Sequence, residues 1–110
     1  MNKYRVEVLP LAWNDLRGIG EYIAQNDSAA ANSVVEKLIV SLRRFETFPL
    51  SAPFVPDTEL SKEGYHVLVC GRYLCFYRVE DKEVFIYHVT HSAMNYPVLL
   101  RSLSSKKTEG

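Results

Sequence analysis

The stretch YHVLVCGRYLCFYRVEDKEVFIYHV, Tyr65 to Val89, decides how the rest of the chain must be arranged. It divides into three runs rich in Val, Tyr, Phe and Ile, over Tyr65–Cys70, Tyr73–Val79 and Val84–Val89, with Gly71-Arg72 and Asp81-Lys82 between them. Runs of this kind broken by pairs of turn-forming residues predict a meander of consecutive β-hairpins. With Gly71 first in a type II′ turn, Cys70 lies opposite Tyr73, Leu68 opposite Cys75 and His66 opposite Tyr77. A similar turn at Asp81-Lys82 sets Tyr77 against Ile86 and Cys75 against His88. Side chains alternate along each strand, so one face carries His66, Leu68, Cys70, Tyr73, Cys75, Tyr77, Val79, Val84, Ile86 and His88. The other carries Tyr65, Val67, Val69, Leu74, Phe76, Arg78, Phe85, Tyr87 and Val89. An antiparallel sheet wetted on one side alternates apolar with polar residues, and this one barely does. Both faces therefore need a cover, and so short a chain is expected to supply only one.

The chain has 110 residues and an ordinary globular composition, which predicts one domain over residues 1–103 and a polar tail over 104–110. The opening MNKYRVEVLP lacks the apolar run of a secretory leader, and no stretch is long and apolar enough to span a bilayer. A cytoplasmic protein without a membrane partner is the expectation. Cys70 and Cys75 are too few and too close for a disulfide framework. Thirteen basic residues meet thirteen acidic ones, and the balance holds in each half of the sequence. Nucleic-acid binders usually show a basic excess, so the composition weighs against non-specific binding to DNA or RNA.

Ahead of the meander, Tyr4 to Leu9 alternates as a half-exposed strand at an edge of the same sheet. Pro10 opens a helix over Pro10–Gln25 with Ala12, Leu16, Ile19 and Ile23 as its apolar stripe. Gly18 and Gly20 weaken this helix but allow close packing. Asn26-Asp27-Ser28 is a stop followed by an N-cap, and a second helix over Ala29–Phe45 turns Ala31, Val34, Val35, Leu38, Leu42 and Phe45 inward. The short connection makes the two helices antiparallel neighbours. Pro49 to Gly64 contains three prolines and no periodicity, and reads as a long crossover loop anchored by Phe54 and Leu60. After the meander, Pro97 and the apolar residues behind it suit a short C-terminal helix. The fold class is therefore α+β: an antiparallel helix hairpin packed on one face of a four-stranded, mainly antiparallel sheet, with a short C-terminal helix.

This order, together with YRVEVLPLAWNDLRGIGEYIAQ, FETFPLSAP, GYHVLVCGRYLCFYRV and VFIYHVTHSAMNYPVLL, resembles the RelE/ParE superfamily of toxins from type II toxin–antitoxin pairs. The similarity runs from Tyr4 to Leu100. It implies a small growth inhibitor, a hetero-oligomer with the cognate antitoxin protein that silences it. RelE-like members cut messenger RNA on the ribosome, and ParE-like members poison DNA gyrase. RelE-like nucleases commonly carry Arg after the Tyr of the middle strand, where this chain has Leu74 after Tyr73, and basic residues after the last strand, where it has Ala93 and Met94. Tyr73-Leu74-Cys75-Phe76-Tyr77 follows the ParE-like pattern instead. The resemblance thus implies a ParE-like toxin acting on a macromolecular target, with DNA gyrase and the ribosome with its messenger as the two candidates. A ribosome-dependent, metal-independent mRNA endonuclease and a non-toxic module that retains only antitoxin binding are the alternatives.

Cleavage of RNA without a metal needs a base for the 2′-hydroxyl, an acid for the leaving oxygen and a cation for the phosphate. His66, His88, His91, Tyr96, Arg72 and Arg78 are the local suppliers. His66 and His88 share the face that the resemblance gives to the helices, and read as core or rim histidines. His91 and Tyr96 lie beyond the last strand, where such toxins place part of their site, and with Arg78 they form the candidate catalytic set. Arg78 is also the lone charge on the second face, suited to a phosphate or a partner's carboxylate. The spacing of Cys70, Cys75 and the histidines fits no common zinc pattern, and no phosphate loop, nucleophile elbow or carboxylate pair is present. No metal or small-molecule cofactor is implied. The apolar surface of Val67, Val69, Leu74, Phe76, Phe85 and Tyr87, with Arg78, is the expected antitoxin-binding site, because surfaces of this kind seldom stay bare.

Overall fold

The computed structural model describes residues 3–92. Strand β1 (Arg5–Val8) leads into helix α1 (Pro10–Ala24), α2 (Ser28–Arg43) follows and tightens into a 3₁₀ turn at Arg44–Glu46, and a short helix α3 (Thr58–Lys62) precedes the meander of β2 (His66–Cys70), β3 (Tyr73–Glu80) and β4 (Glu83–His91). The sheet order is β1-β4-β3-β2, with β1 parallel to β4 at one edge and the two other pairings antiparallel. The C-terminal helix expected near Pro97 lies outside the described residues.

Both hairpin turns form where the sequence puts them, for a backbone reason. Gly71 takes φ +60° and Asp81 φ +56°, the left-handed values a two-residue reversal needs at its first position, and Asp is among the side chains that tolerate them. Cys70 pairs with Tyr73, Leu68 with Cys75 and His66 with Tyr77 as read from the spacing. The second hairpin keeps its expected register only as far as Tyr77 and Ile86. Phe76 then pairs with His88 and Cys75 with Val89, so Tyr87 is an extra residue in β4, a β-bulge. This corrects two expectations: Cys75 faces Val89 rather than His88, and Val89 joins the core under the helices rather than the second face.

The helix hairpin packs on one face as its apolar stripes require. Ala12 and Leu16 of α1 and Ala31, Leu38 and Leu42 of α2 are buried, and Phe45 in the 3₁₀ turn sets its ring 4.0 Å from that of Tyr77. The carboxylate of Asp27, not the hydroxyl of Ser28, caps α2 by accepting the Ala30 N–H at 3.1 Å. A Cβ at Gly20 would stand only 3.3 Å from Val35 Cγ2, so this glycine lets α1 and α2 approach.

The second face departs from expectation. The segment between Pro49 and Gly64 folds back beneath the sheet, with Asp57 capping α3 through the Leu60 N–H at 3.1 Å. Leu60 and Val55 meet Tyr65 and Phe76 in a separate core, and Phe76 is 0% exposed. Leu60 is the anchor the sequence suggested; Phe54 remains exposed and stacks on His66 with ring centroids 4.2 Å apart. The chain supplies a partial cover for both faces.

Candidate partner groove

The site grows from a mismatch of strand lengths. Strand β1 pairs with β4 only through Val8 and Ile86, where the Leu9 N–H donates to the Ile86 carbonyl at 3.1 Å, and Pro10 then starts α1. Strand β4 runs on to His91 with no neighbour on that side among the described residues. A bare edge of this kind leaves amides without acceptors. Asp15, one turn into α1, fills the gap: its carboxylate accepts the Val89 N–H at 2.9 Å and also bonds His88 Nδ1. The bulge at Tyr87 brings His88 and the Val89 amide to the same oxygen. Since a carboxylate only accepts, His88 Nδ1 is the protonated nitrogen of the ring.

Beyond this clasp the helices and sheet diverge, leaving a groove of about 1170 Å³. Ile19 and Ile23 of α1 and Val34 and Leu38 of α2 form its helical wall, while Cys70, Tyr73 and Val89 form the sheet wall. Lys37, Arg72 and His91 stand at its margins, and Tyr22, the most exposed of the large apolar side chains, at its mouth. Thr90, between Val89 and His91 on β4, pairs with Leu74 and so turns its side chain to the second face, where its buried hydroxyl has no hydrogen-bond partner among the described residues. Leaving such a group unpaired costs about 1–3 kcal/mol. The Cys70 thiol lies 3.3 Å from Ser41 Oγ, and Cys75 behind it is inert because burial, with Cys70 adding to the effect, pushes its pKa up to about 12. No cluster of metal-ligating side chains occurs among the described residues. An apolar floor with separated polar groups at the margin is the make-up of a surface that receives a protein segment.

The sequence-derived site residues fall in three places. His91 ends β4 at the groove margin, its ring edge-on to Tyr73 with centroids 5.6 Å apart. Tyr96 lies outside the described residues. Arg78 is on the second face, its guanidinium 5.6 Å from the Tyr65 ring and 5.9 Å from the Tyr87 ring. Tyr73, the ladder partner of His91, is five residues from Arg78 on β3, an odd separation that puts them on opposite faces roughly 16 Å apart. His91 and Arg78 therefore do not form one site.

His66 is a core residue as read: it donates from Nδ1 to the Ala52 carbonyl at 3.0 Å and stacks against Tyr77. Of the expected antitoxin surface, Phe76 is sealed inside the chain, Val67, Leu74, Phe85 and Tyr87 are half-buried, and Val69 is exposed. Asp15 and Lys37 were missed. Asp15 had a signal, since it stands four residues before Ile19 and eight before Ile23 and so begins their helical row. Lys37 had none, because only the tertiary fold brings α2 and the Gly71-Arg72 turn to one groove.

The sequence model of the ParE toxin of the type II toxin–antitoxin system parDE matches residues 6–96, from the first strand past the end of the last. The chain belongs to the ParE toxin family. It is a ParE-type toxin, and the helix hairpin, the groove and all of the sheet but Arg5 fall within the family match. No curated protein gives a significant sequence match. Among solved structures, the chromosomal ParDE toxin–antitoxin system from P. aeruginosa superposes with a TM-score of 0.69 at 16% identity, over 83% of this chain and 98% of that one. The toxin–antitoxin complex RelBE2 from Mycobacterium tuberculosis gives a TM-score of 0.55 at 27% identity, over 81% and 98%. The first likeness is one of fold. No described helix is long and apolar enough to cross a membrane.

Proposed function

We propose that this ParE-family toxin inhibits growth by acting on a gyrase-type target, and that a segment of its cognate antitoxin silences it by lying in the groove between the helix hairpin and the sheet. The groove carries the antitoxin part of this reading: an open trough walled by the apolar side chains of Ile19, Ile23, Val34, Leu38 and Val89, the kind of surface that a partner covers. The half-buried Val67, Leu74, Phe85 and Tyr87 and the exposed Val69 of the second face make a lesser contact, and Phe76 makes none because Val55 and Leu60 already cover it. The solved toxin–antitoxin complexes of the same fold support a protein partner.

The nuclease reading has less behind it, since His91 and Arg78 lie on opposite faces of the sheet. A gyrase supercoiling assay and a ribosome-programmed cleavage assay separate the two targets: inhibition in the first with no cuts in the second is the expected pair of results. The antitoxin is tested by co-expression with the product of the adjacent reading frame. Growth arrest without that product, rescue with it, and loss of rescue for Ile23→Asp and Val34→Asp are expected, each substitution weakening the complex at least ~30-fold. Normal growth of cells expressing the toxin alone would leave a binding module without a poison.

A further inference from the structure

We infer that the segment filling the groove is acidic along both of its margins, and that Lys37 and Arg72 are the residues that select it; this rests on the antitoxin reading above. The chain has no formal net charge and no basic run, yet folding sorts its charges at this one place. Lys37 stands on the α2 bank and Arg72 on the opposite bank, in the turn between β2 and β3. Both are exposed, and neither enters an ion pair among the described residues. Among the described residues Asp15 is the one acid lining the groove, and its carboxylate is committed to His88 and to the Val89 amide. Among the described residues the margins therefore offer two uncommitted cations facing each other across an apolar floor, and no uncommitted anion.

A partner stripe of Leu, Ile or Val pointing down at Ile19, Ile23, Val34 and Leu38, with Asp or Glu on each flank, matches this arrangement. A basic or neutral segment would leave the two cations facing like charge or nothing. Apolar contact supplies the affinity, while the flanking charges set which partner is accepted and how fast it docks.

The test measures the dissociation constant of the toxin with the antitoxin encoded beside it, at several salt concentrations. Lys37→Glu and Arg72→Glu should each weaken the complex by roughly tenfold at low ionic strength, mainly through slower association, and flatten its salt dependence. Lys37→Arg should bind as the wild type does, and Lys62→Glu on α3, a reversal away from the groove, should leave affinity unchanged. Both groove positions are exposed, so thermal unfolding of the variants should match the wild type and exclude a folding defect. A wild-type complex that forms normally but is shifted less than about twofold by either reversal, at any salt, overturns the charge-selection inference alone. Failure of the wild-type protein to bind at all, or self-association through the groove instead, overturns the antitoxin reading beneath it.

Discussion

The two faces of the sheet are covered in different ways. The helix hairpin supplies two long rods to one face, and Ala12, Leu16, Leu38, Leu42 and Phe45 bury Cys75, Tyr77, Val84 and Ile86 beneath them. The other face is covered by an irregular loop and five residues of α3, with Val55 and Leu60 closing over Tyr65 and Phe76. The lighter cover seals its centre and the heavier one leaves a groove. Straight helices cannot follow a sheet that twists away from them, so they separate from it at the end of β4. An irregular segment, bound to no straight axis, follows the surface and closes it. The open groove is thus a consequence of using helices as the cover, and the clasp from Asp15 marks where contact stops.

The most direct way to break this comparison is to remove the residue on which the lighter cover rests. Phe76→Ala should destabilise the protein by about 3–5 kcal/mol, since the ring is fully buried and Val55 and Leu60 cannot collapse into its space without moving α3. Urea unfolding measures it. A loss below about 1 kcal/mol would mean that α3 sits loosely and that the second face is effectively open.

On the helix side the corresponding weak point is Asp15. Asp15→Ala strips the acceptor from the Val89 amide and from His88 together, and hydrogen bonds to a charged group are worth about 1.5–3 kcal/mol. The loss should be local. Amide exchange at Val89 should accelerate far more than at Val84, which lies under the helices in the stretch that β1 also pairs.

The helix side also carries a pH dependence. Cys75 keeps its proton up to a pKa of about 12 in the folded chain because burial disfavours the thiolate, whereas its ordinary value is 9.0. Between those values the unfolded state has released the proton and the folded state has not, so stability falls as pH rises. At pH 10 the deficit is on the order of 1 kcal/mol. Cys75→Ala should flatten the decline of urea stability between pH 8 and 10; Tyr77, whose pKa burial also raises, adds its own decline only at higher pH.

How much of this was legible follows the range of the forces involved. The turns at Gly71 and Asp81, the stripes of α1 and α2 and the β2–β3 register are local and were readable, as was the family likeness. The bulge at Tyr87 was not, because nothing in VFIYHVTH marks it; it arises where β1 stops pairing and Asp15, seventy-odd residues away, takes over. That single extra residue moved Val89 to the helix face. The cover on the second face was hidden differently, since the three prolines of the Pro49–Gly64 segment obscured a helix start at Asp57-Thr58-Glu59-Leu60. The facing of Lys37 and Arg72 across the groove has no trace in the sequence at all.

The smallest effect sharpens the comparison furthest. Asp57 holds the start of α3 by accepting the Leu60 N–H at 3.1 Å, and replacing a capping Asp with Ala typically costs about 1 kcal/mol. A five-residue helix has no length of its own to sustain it, so it persists through this cap and through Leu60 packed on Phe76. In Asp57→Ala the apolar contact remains and the cap does not. If the cover on this face owes its closure to the apolar contact, the protein should lose about 1 kcal/mol in urea while Phe76 stays protected and antitoxin affinity is unchanged. Detachment of α3 would instead expose Phe76 beside Val67 and Leu74, raise the binding of a hydrophobic dye, and show that the cap, not the packing, keeps the two faces different.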